Sequence, residues 1–430
     1  MNEWQSAIAP FDTRLGQLQR GRGLGFLRAL ADGRAAHEDL LECVLNDPRV
    51  DRQVEDRARY YAELLVAIVA PIEPVVDGLR GAAEGVLAQD VLVEAWQLGH
   101  APTRALLESF DTDEAIVEGV ARGLWDSLWA SPDELPPRAA SVYRQLECEE
   151  ALRAREDKDA PAPAIGTMRS VDQLLRVAER HPRLHGYVVD ALVRLDSESV
   201  RQELADSILS RSQFRTHVAG RALGRLGDER MMPIAQELFA REDVFTDPNR
   251  RLPNSDRFRR ATLNKYVQSL PEARQLELAR TWRDRGGYFR VVVGGVFRKH
   301  ATEEDRAWLE DYIRVNLLKT DGHYVAYEVE ALARIGSGCS AELLAETAEQ
   351  VGYSYTRTRA IRGLAKMTRS PRAFRLLREA LWDCEEQAAK IACSQLPDLD
   401  QTARGRIGRL ARHPLVERSL RAAARRRLRR

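Results

Sequence analysis

A helix–break–helix pattern recurs through the second half of this chain, and it constrains the fold more than any other feature. Each copy ends a first helix on an apolar residue, breaks tightly, and begins a second amphipathic helix. In "ALVRLDSESVRQELADSIL" that residue is Leu195; in "ALGRLGDERMMPIAQELF" it is Leu226, 31 residues on. "ALARIGSGCSAELLAETA" reaches it at Ile335, "GLAKMTRSPRAFRLLREAL" at Met367, 32 residues later, and "ACSQLPDLDQTARGRIGRL" at Leu396, 29 later. The 109 residues between Leu226 and Ile335 hold about three further units, among them "KYVQSLPEARQLELARTW" and "VGGVFRKHATEEDRAWLEDYI". A two-helix unit with a period of roughly 30 to 35 residues is the mark of an α-solenoid, so the expected fold is all-α. Alternating strand-type runs are absent, and the β-branched stretch "FRVVVGGVF" at 289–297 is read as a helix.

Residue chemistry explains the unit. Small residues in the first helix (Ala222, Gly224, Ala331, Ala333) let neighbouring helices approach. Gly227 is suited to a left-handed helix end, and Asp228 is expected to cap the following helix. Pro233 falls a little beyond the ideal first-turn position. Leucines and isoleucines at i, i+3 and i+4 form the buried face. With Ala222, Leu223, Gly224, Leu226, Gly227, Asp228 and Pro233, "ALGRLGDERMMPIAQELF" resembles the HEAT-like repeat of the phycobilisome-lyase type. Other units match in part: Asp196 follows Leu195 and Thr368 follows Met367, where that pattern has Gly. The resemblance spans roughly residues 168–410 as a fold. It implies a right-handed solenoid that binds along its concave face, and it implies no enzyme activity, because the repeat serves many roles.

The stretch "REDKDAPAPAIGT" (155–167) runs charges into an Ala-Pro tract that blocks helix. It divides the chain into an N-terminal helical region (1–155), a linker (156–167) and the repeat region (168–430). The N-terminal region reads as degenerate repeats with a cap; "EAWQLGHAPTRALLESF" places Leu98-Gly99 at a turn and "LWDSLWASPDELPPRAASVYRQL" follows about one period later. With no secretory signal and no apolar run of roughly 20 residues, neither export nor membrane spanning is expected. Five scattered cysteines without a Cys-x-x-Cys pair fit a reducing cytoplasm.

The net charge of +1 hides a strong polarity. Residues 1–150 carry 14 Lys and Arg against 27 Asp and Glu, net −13, whereas residues 351–430 carry 20 against 7, net +13. Such a chain can steer an acidic partner to its C-terminal half, or pair its own ends or those of a second copy. Nearly all the positive charge is arginine, which suits carboxylate and phosphate forks. Three arginine groups are candidate partner-binding residues. Arg250, Arg251, Arg257, Arg259 and Arg260 lie in the insertion that stretches one period to 44 residues. Arg283, Arg285 and Arg290 flank Gly286-Gly287, beside Tyr288 and Phe289, which are read as core. Arg425, Arg426 and Arg427 belong to the basic tail "RSLRAAARRRLRR".

Catalytic, metal and cofactor motifs are missing from the sequence: there is no phosphate-cradling Gly-rich loop, no Gly-x-Ser-x-Gly and no His-Glu-x-x-His. His181 and His185 stand four apart but are interrupted by Pro182, with no acidic or cysteine partner. The expected function is a cytoplasmic, non-catalytic binding or scaffold protein with an acidic protein partner. The alternative is a nucleic-acid-binding solenoid. HEAT-like-fold alkylpurine DNA glycosylases use Trp and Asp on a basic face, and Trp125, Asp126 and Trp129 are the similar cluster, though in the acidic half.

Overall fold

The computed structural model describes residues 8–47, 57–81, 86–103, 105, 165–208, 212–240, 254–319, 322–336, 340–367, 370–413 and 416–429. All regular structure among them is helical. The N-terminal helices are α1 (Arg14–Gln19), α2 (Gly23–Asp32), α3 (His37–Leu45), α4 (Arg57–Ala67), α5 (Glu73–Gly81) and α6 (Val86–Gln97). Next come α7 (Val171–Arg180), α8 (His185–Arg194), α9 (Glu198–Ile208), α10 (Gln213–Arg225), α11 (Met232–Ala240), α12 (Asn254–Val267), α13 (Glu272–Trp282) and α14 (Phe289–His300). The last group is α15 (Arg306–Asn316), α16 (Ala326–Ile335), α17 (Ala341–Gln350), α18 (Ser354–Met367), α19 (Pro371–Glu379), α20 (Glu386–Gln395), α21 (Gln401–Arg412) and α22 (Arg418–Leu428).

These helices form two compact units: residues 1–159 with 307–430, and residues 160–306. In both, a helix packs on its neighbour in sequence and on the helix after that. The central unit pairs α8 with α10 and α10 with α12; the other pairs α16 with α18, α18 with α20 and α20 with α22. Side-chain hydrogen bonds repeat the same interval. Ser212–Glu179, Arg225–Asp190, Arg230–Glu198 and Lys299–Gln268 are 31 to 35 residues apart. Ser340–Glu310, Arg359–Glu330, Ser354–Glu385 and Lys390–Ser419 are 29 to 31 apart.

The break after α10 shows how the unit is made. Gly227 has φ +65°, and its N–H donates to Gly224 O at 3.0 Å while Asp228 N–H donates to Leu223 O at 3.1 Å. This pair of bonds satisfies two carbonyls at the helix end. The same pair closes α6, from Gly99 to Trp96 O at 2.9 Å and from His100 to Ala95 O at 3.1 Å. Asp228 does not cap α11. Its carboxylate accepts from the Arg230 N–H at 3.0 Å, in the turn ahead of that helix, and from the Arg230 guanidinium. Pro233 is the second residue of α11, within the first turn where proline is tolerated.

Within the unit that contains both chain ends, the N-terminal helices dock on the C-terminal ones chiefly through arginine. Arg22 holds the Glu379 carboxylate with Nε and Nη2, at 2.9 and 3.1 Å, and Arg59 Nη1 reaches Glu386 at 2.7 Å. Arg20, Arg22 and Arg57 donate to the carbonyls of Gln350, Glu349 and Gly352, where α17 ends. The partial negative charge of a helix C-terminus favours cations there. Acid-to-base docking in the direction that net charge suggests is seen at Arg406–Glu63, 2.5 Å.

Candidate functional site

On the central unit, α8, α10, α12 and α14 bring basic side chains together. Glycine sets how closely they pack. A Cβ on Gly224 would lie 2.4 Å from Tyr266 O, and one on Gly220 3.1 Å from Thr262 Cγ2, so α10 sits tightly on α12. A Cβ on Gly295 would lie 2.6 Å from Gln268 Nε2, which fixes α14 against the end of α12. His185 and His217 rings are 6.1 Å apart between centroids. Lys299 Nζ donates to Gln268 Oε1 at 3.4 Å. Burial lowers the His217 imidazole, and the charges of Arg221, His185 and Lys265 lower it further. Burial likewise lowers the Lys299 ammonium, with Arg298 and Lys265 adding to the effect. Among the described residues, Arg221, Lys265 and Lys299 form no ion pair. The next arginines along α10 do: Arg225 pairs with Asp190 and Arg215 with Asp172, both at 2.5 Å. Arg221, Lys265 and Lys299, with the His185 and His217 rings beside them, are thus a run of basic side chains across four helices, with Asp190 the acidic group that Arg221 influences, an arrangement that favours an anion.

The arginines singled out in the sequence are placed differently. Arg250 and Arg251 lie outside the described residues, and for Arg257 only its position on α12 is described. Arg259 is half-buried on the same helix. Arg260 is 1% exposed; its Nε donates to Leu238 O at 3.0 Å, and its Cζ lies 5.6 Å from the Tyr288 ring. It therefore satisfies the end of α11. Arg283 lies beside Asp284, Nε to Oδ2 3.7 Å, and the exposed Arg285 covers the Phe289 ring at 5.2 Å. Arg290 is exposed on the first turn of α14. Tyr288 and Phe289 pack against Phe239, at 5.5 and 5.7 Å between centroids, and Phe289 meets Trp282 at 5.2 Å. In the tail helix α22, Arg425 Nε donates to Ala411 O at 3.0 Å and Arg427 to Leu396 O and Pro397 O, while Arg426 is exposed.

Many other arginines do internal work of the same kind. Arg357 is buried against Asp383 through two hydrogen bonds of 2.8 and 3.0 Å. Arg359 pairs with Glu330, Arg372 with Glu342 and Glu349, and Arg378 with Asp400. Arg406 Nε donates to Leu381 O at 3.0 Å. A guanidinium can satisfy a carbonyl and a carboxylate at once, which an ammonium does less well. Arginine content thus overstates the charge offered to a partner.

Sequence reasoning passed over Arg221, Lys265 and Lys299. A signal for two of them is present: Arg221 and Lys265 each stand five residues before the apolar residue that ends the repeat's first helix, Leu226 and Leu270. Among the described residues, no group of three His, Cys, Asp or Glu is arranged to hold a metal ion, and His185 Nε2 donates to Ala178 O at 2.9 Å. The cavity lined by Arg59, Glu63, Cys384, Glu386 and Arg406 is about 30 Å³, room for one water. Trp125, Asp126, Trp129 and most of the 156–167 linker lie outside the described residues. No helix among the described residues is long and apolar enough to cross a membrane. No family model, curated protein or solved structure matches the chain.

Proposed function

We propose that this protein is a HEAT-like solenoid that acts without catalysis as a binding or scaffold protein, and that its partner is a protein with an acidic surface. The observation that carries the reading is the ladder of side-chain contacts at intervals of 29 to 35 residues, from Ser212–Glu179 to Lys390–Ser419. Stacked hairpins of that kind expose long side faces suited to recognition. Support for the sign of the partner comes from Arg221, Lys265 and Lys299, basic residues that form no ion pair among the described residues. Support for a protein over nucleic acid comes from the arginines at 357–378. Those of them that form buried or bidentate pairs with Asp383, Glu330 and Glu349 leave little of a phosphate-tracking stripe.

Affinity capture with the tagged full chain tests this, at about 50 mM and about 500 mM salt, with and without nuclease. The expected result is an acidic protein retained at low salt, lost at high salt and indifferent to nuclease. Capture abolished by nuclease would favour the nucleic-acid reading, and capture insensitive to salt would overturn the electrostatic one.

A further inference from the structure

The same basic run has a direction. At one end, on α8 and α10, the ring of Phe214 lies 5.6 Å from that of His185, and Phe214 is 38% exposed. From there the basic groups continue through His217 and Arg221 on α10 and Lys265 on α12 to Lys299 on α14. Successive packed helices lie roughly 8–10 Å apart, and an extended peptide covers roughly 10 Å in three residues. Acidic side chains spaced three apart on an extended strand therefore match the steps from α8 to α10 and from α10 to α12. Two of the cations are lysines, and His217 beside them carries a ring N–H; these are point donors suited to single carboxylates. The face carries the guanidinium of Arg221 and the exposed ring of Phe214, not the alternation of several guanidinium forks and aromatic platforms usual for nucleic acid. The glycines at 220, 224 and 295 hold the like charges close, so the face is preorganised and does not have to assemble around its ligand.

We infer that the face formed by His217, Arg221, Lys265 and Lys299 binds an extended acidic peptide segment of a partner protein, with an apolar residue of that segment seated on Phe214. This inference rests on the acidic-partner reading above and narrows it to one face and one ligand form.

The test uses the full chain and two fluorescent peptides of about twelve residues, with Glu at every third position. One carries a terminal Leu pair and the other is wholly polar; a DNA duplex of matched charge is the competitor. Wild-type protein is expected to bind the Leu-bearing peptide more tightly than the polar one. The combined Arg221→Gln, Lys265→Gln and Lys299→Gln variant is expected to weaken both by at least tenfold, with an unchanged helix signal by circular dichroism. Phe214→Ala should weaken only the Leu-bearing peptide. A triple variant that binds as tightly as wild type overturns the inference. So does a duplex that outcompetes the peptides, which would make the face a nucleic-acid site. If Arg425→Gln with Arg426→Gln causes the loss instead, or if capture succeeds while the peptides do not bind, the acidic-partner reading survives and this face does not. Failure of both capture and peptide binding removes both.

Discussion

Glu328 gives the sharpest quantitative test of the packing. It lies on α16 at 3% exposure, and its Oε2 has no hydrogen-bond partner. Burial pushes the carboxyl up to about 8, and its own backbone N–H offsets that only weakly. The sign follows from proton binding. The folded state keeps the proton up to about pH 8, whereas the unfolded chain releases it near pH 4.5. Stability should therefore fall as pH rises through that window and level off above it. At roughly 1.4 kcal/mol per pH unit the full penalty is on the order of 5 kcal/mol. Local opening of the helix and water entry reduce this, so about 2–4 kcal/mol is expected. Glu328→Gln keeps shape and removes the titration. Urea unfolding of wild type and variant, followed by helix signal at pH 5 and pH 8, isolates the term as a difference of differences. The variant should be close to wild type at pH 5 and more stable by about 2–4 kcal/mol at pH 8. Parallel changes in the two proteins between the two pH values would refute the buried, neutral carboxyl.

Asp383→Ala strands the buried Arg357 and should destabilise by about 3–5 kcal/mol, read by the urea midpoint. Gly224→Ala drives a Cβ to 2.4 Å from Tyr266 O and should cost about 1–3 kcal/mol, seen as a lower Tm. Arg260→Met should lower stability by about 1–3 kcal/mol but leave binding of the acidic peptides within twofold, because its guanidinium serves Leu238 O. For Asp228, burial alone would raise the carboxyl, but the Arg230 bonds and the Arg201 charge take it below the usual range. Its contribution is therefore present above about pH 4 and lost as pH falls below it. Asp228→Asn should flatten the acid limb of thermal stability as followed by circular dichroism.

Helix content was legible because it depends on local pattern. The apolar spacing and the Leu-Gly-Asp break predict α10, its left-handed end at Gly227 and the start of α11, and Gly99 repeats that geometry. What charge does was far less legible. Glu328 and Glu330 are two residues apart on one helix and read alike; one turns inward with its Oε2 unbonded among the described residues, and the other pairs with Arg359. Arg260 looked like a surface ligand and closes a helix end, while Lys265, five residues on, looked ordinary and forms no ion pair among the described residues. Sequence spacing reports which face of a helix is apolar. It does not report which carbonyl or carboxylate a long side chain will meet on another helix, and that meeting decides whether its charge is neutralised or offered. The N-terminal docking illustrates the point: a segment with net charge −13 attaches mostly through its few arginines.

That docking also orders events during synthesis. The partners of α1 to α6 include Glu379, Cys384 and the end of α17, all made after the whole central unit. At roughly 5–20 residues per second, the interval from residue 159 to residue 430 is on the order of 15–50 s. For that time the face carrying Gly21, Gly23 and Tyr60 lacks the C-terminal residues it packs on, whereas residues 160–306 hold their contacts within one continuous stretch. The N-terminal helices are then made well before the residues they pack on, and the nascent chain must keep their apolar faces covered across the synthesis of the whole central unit.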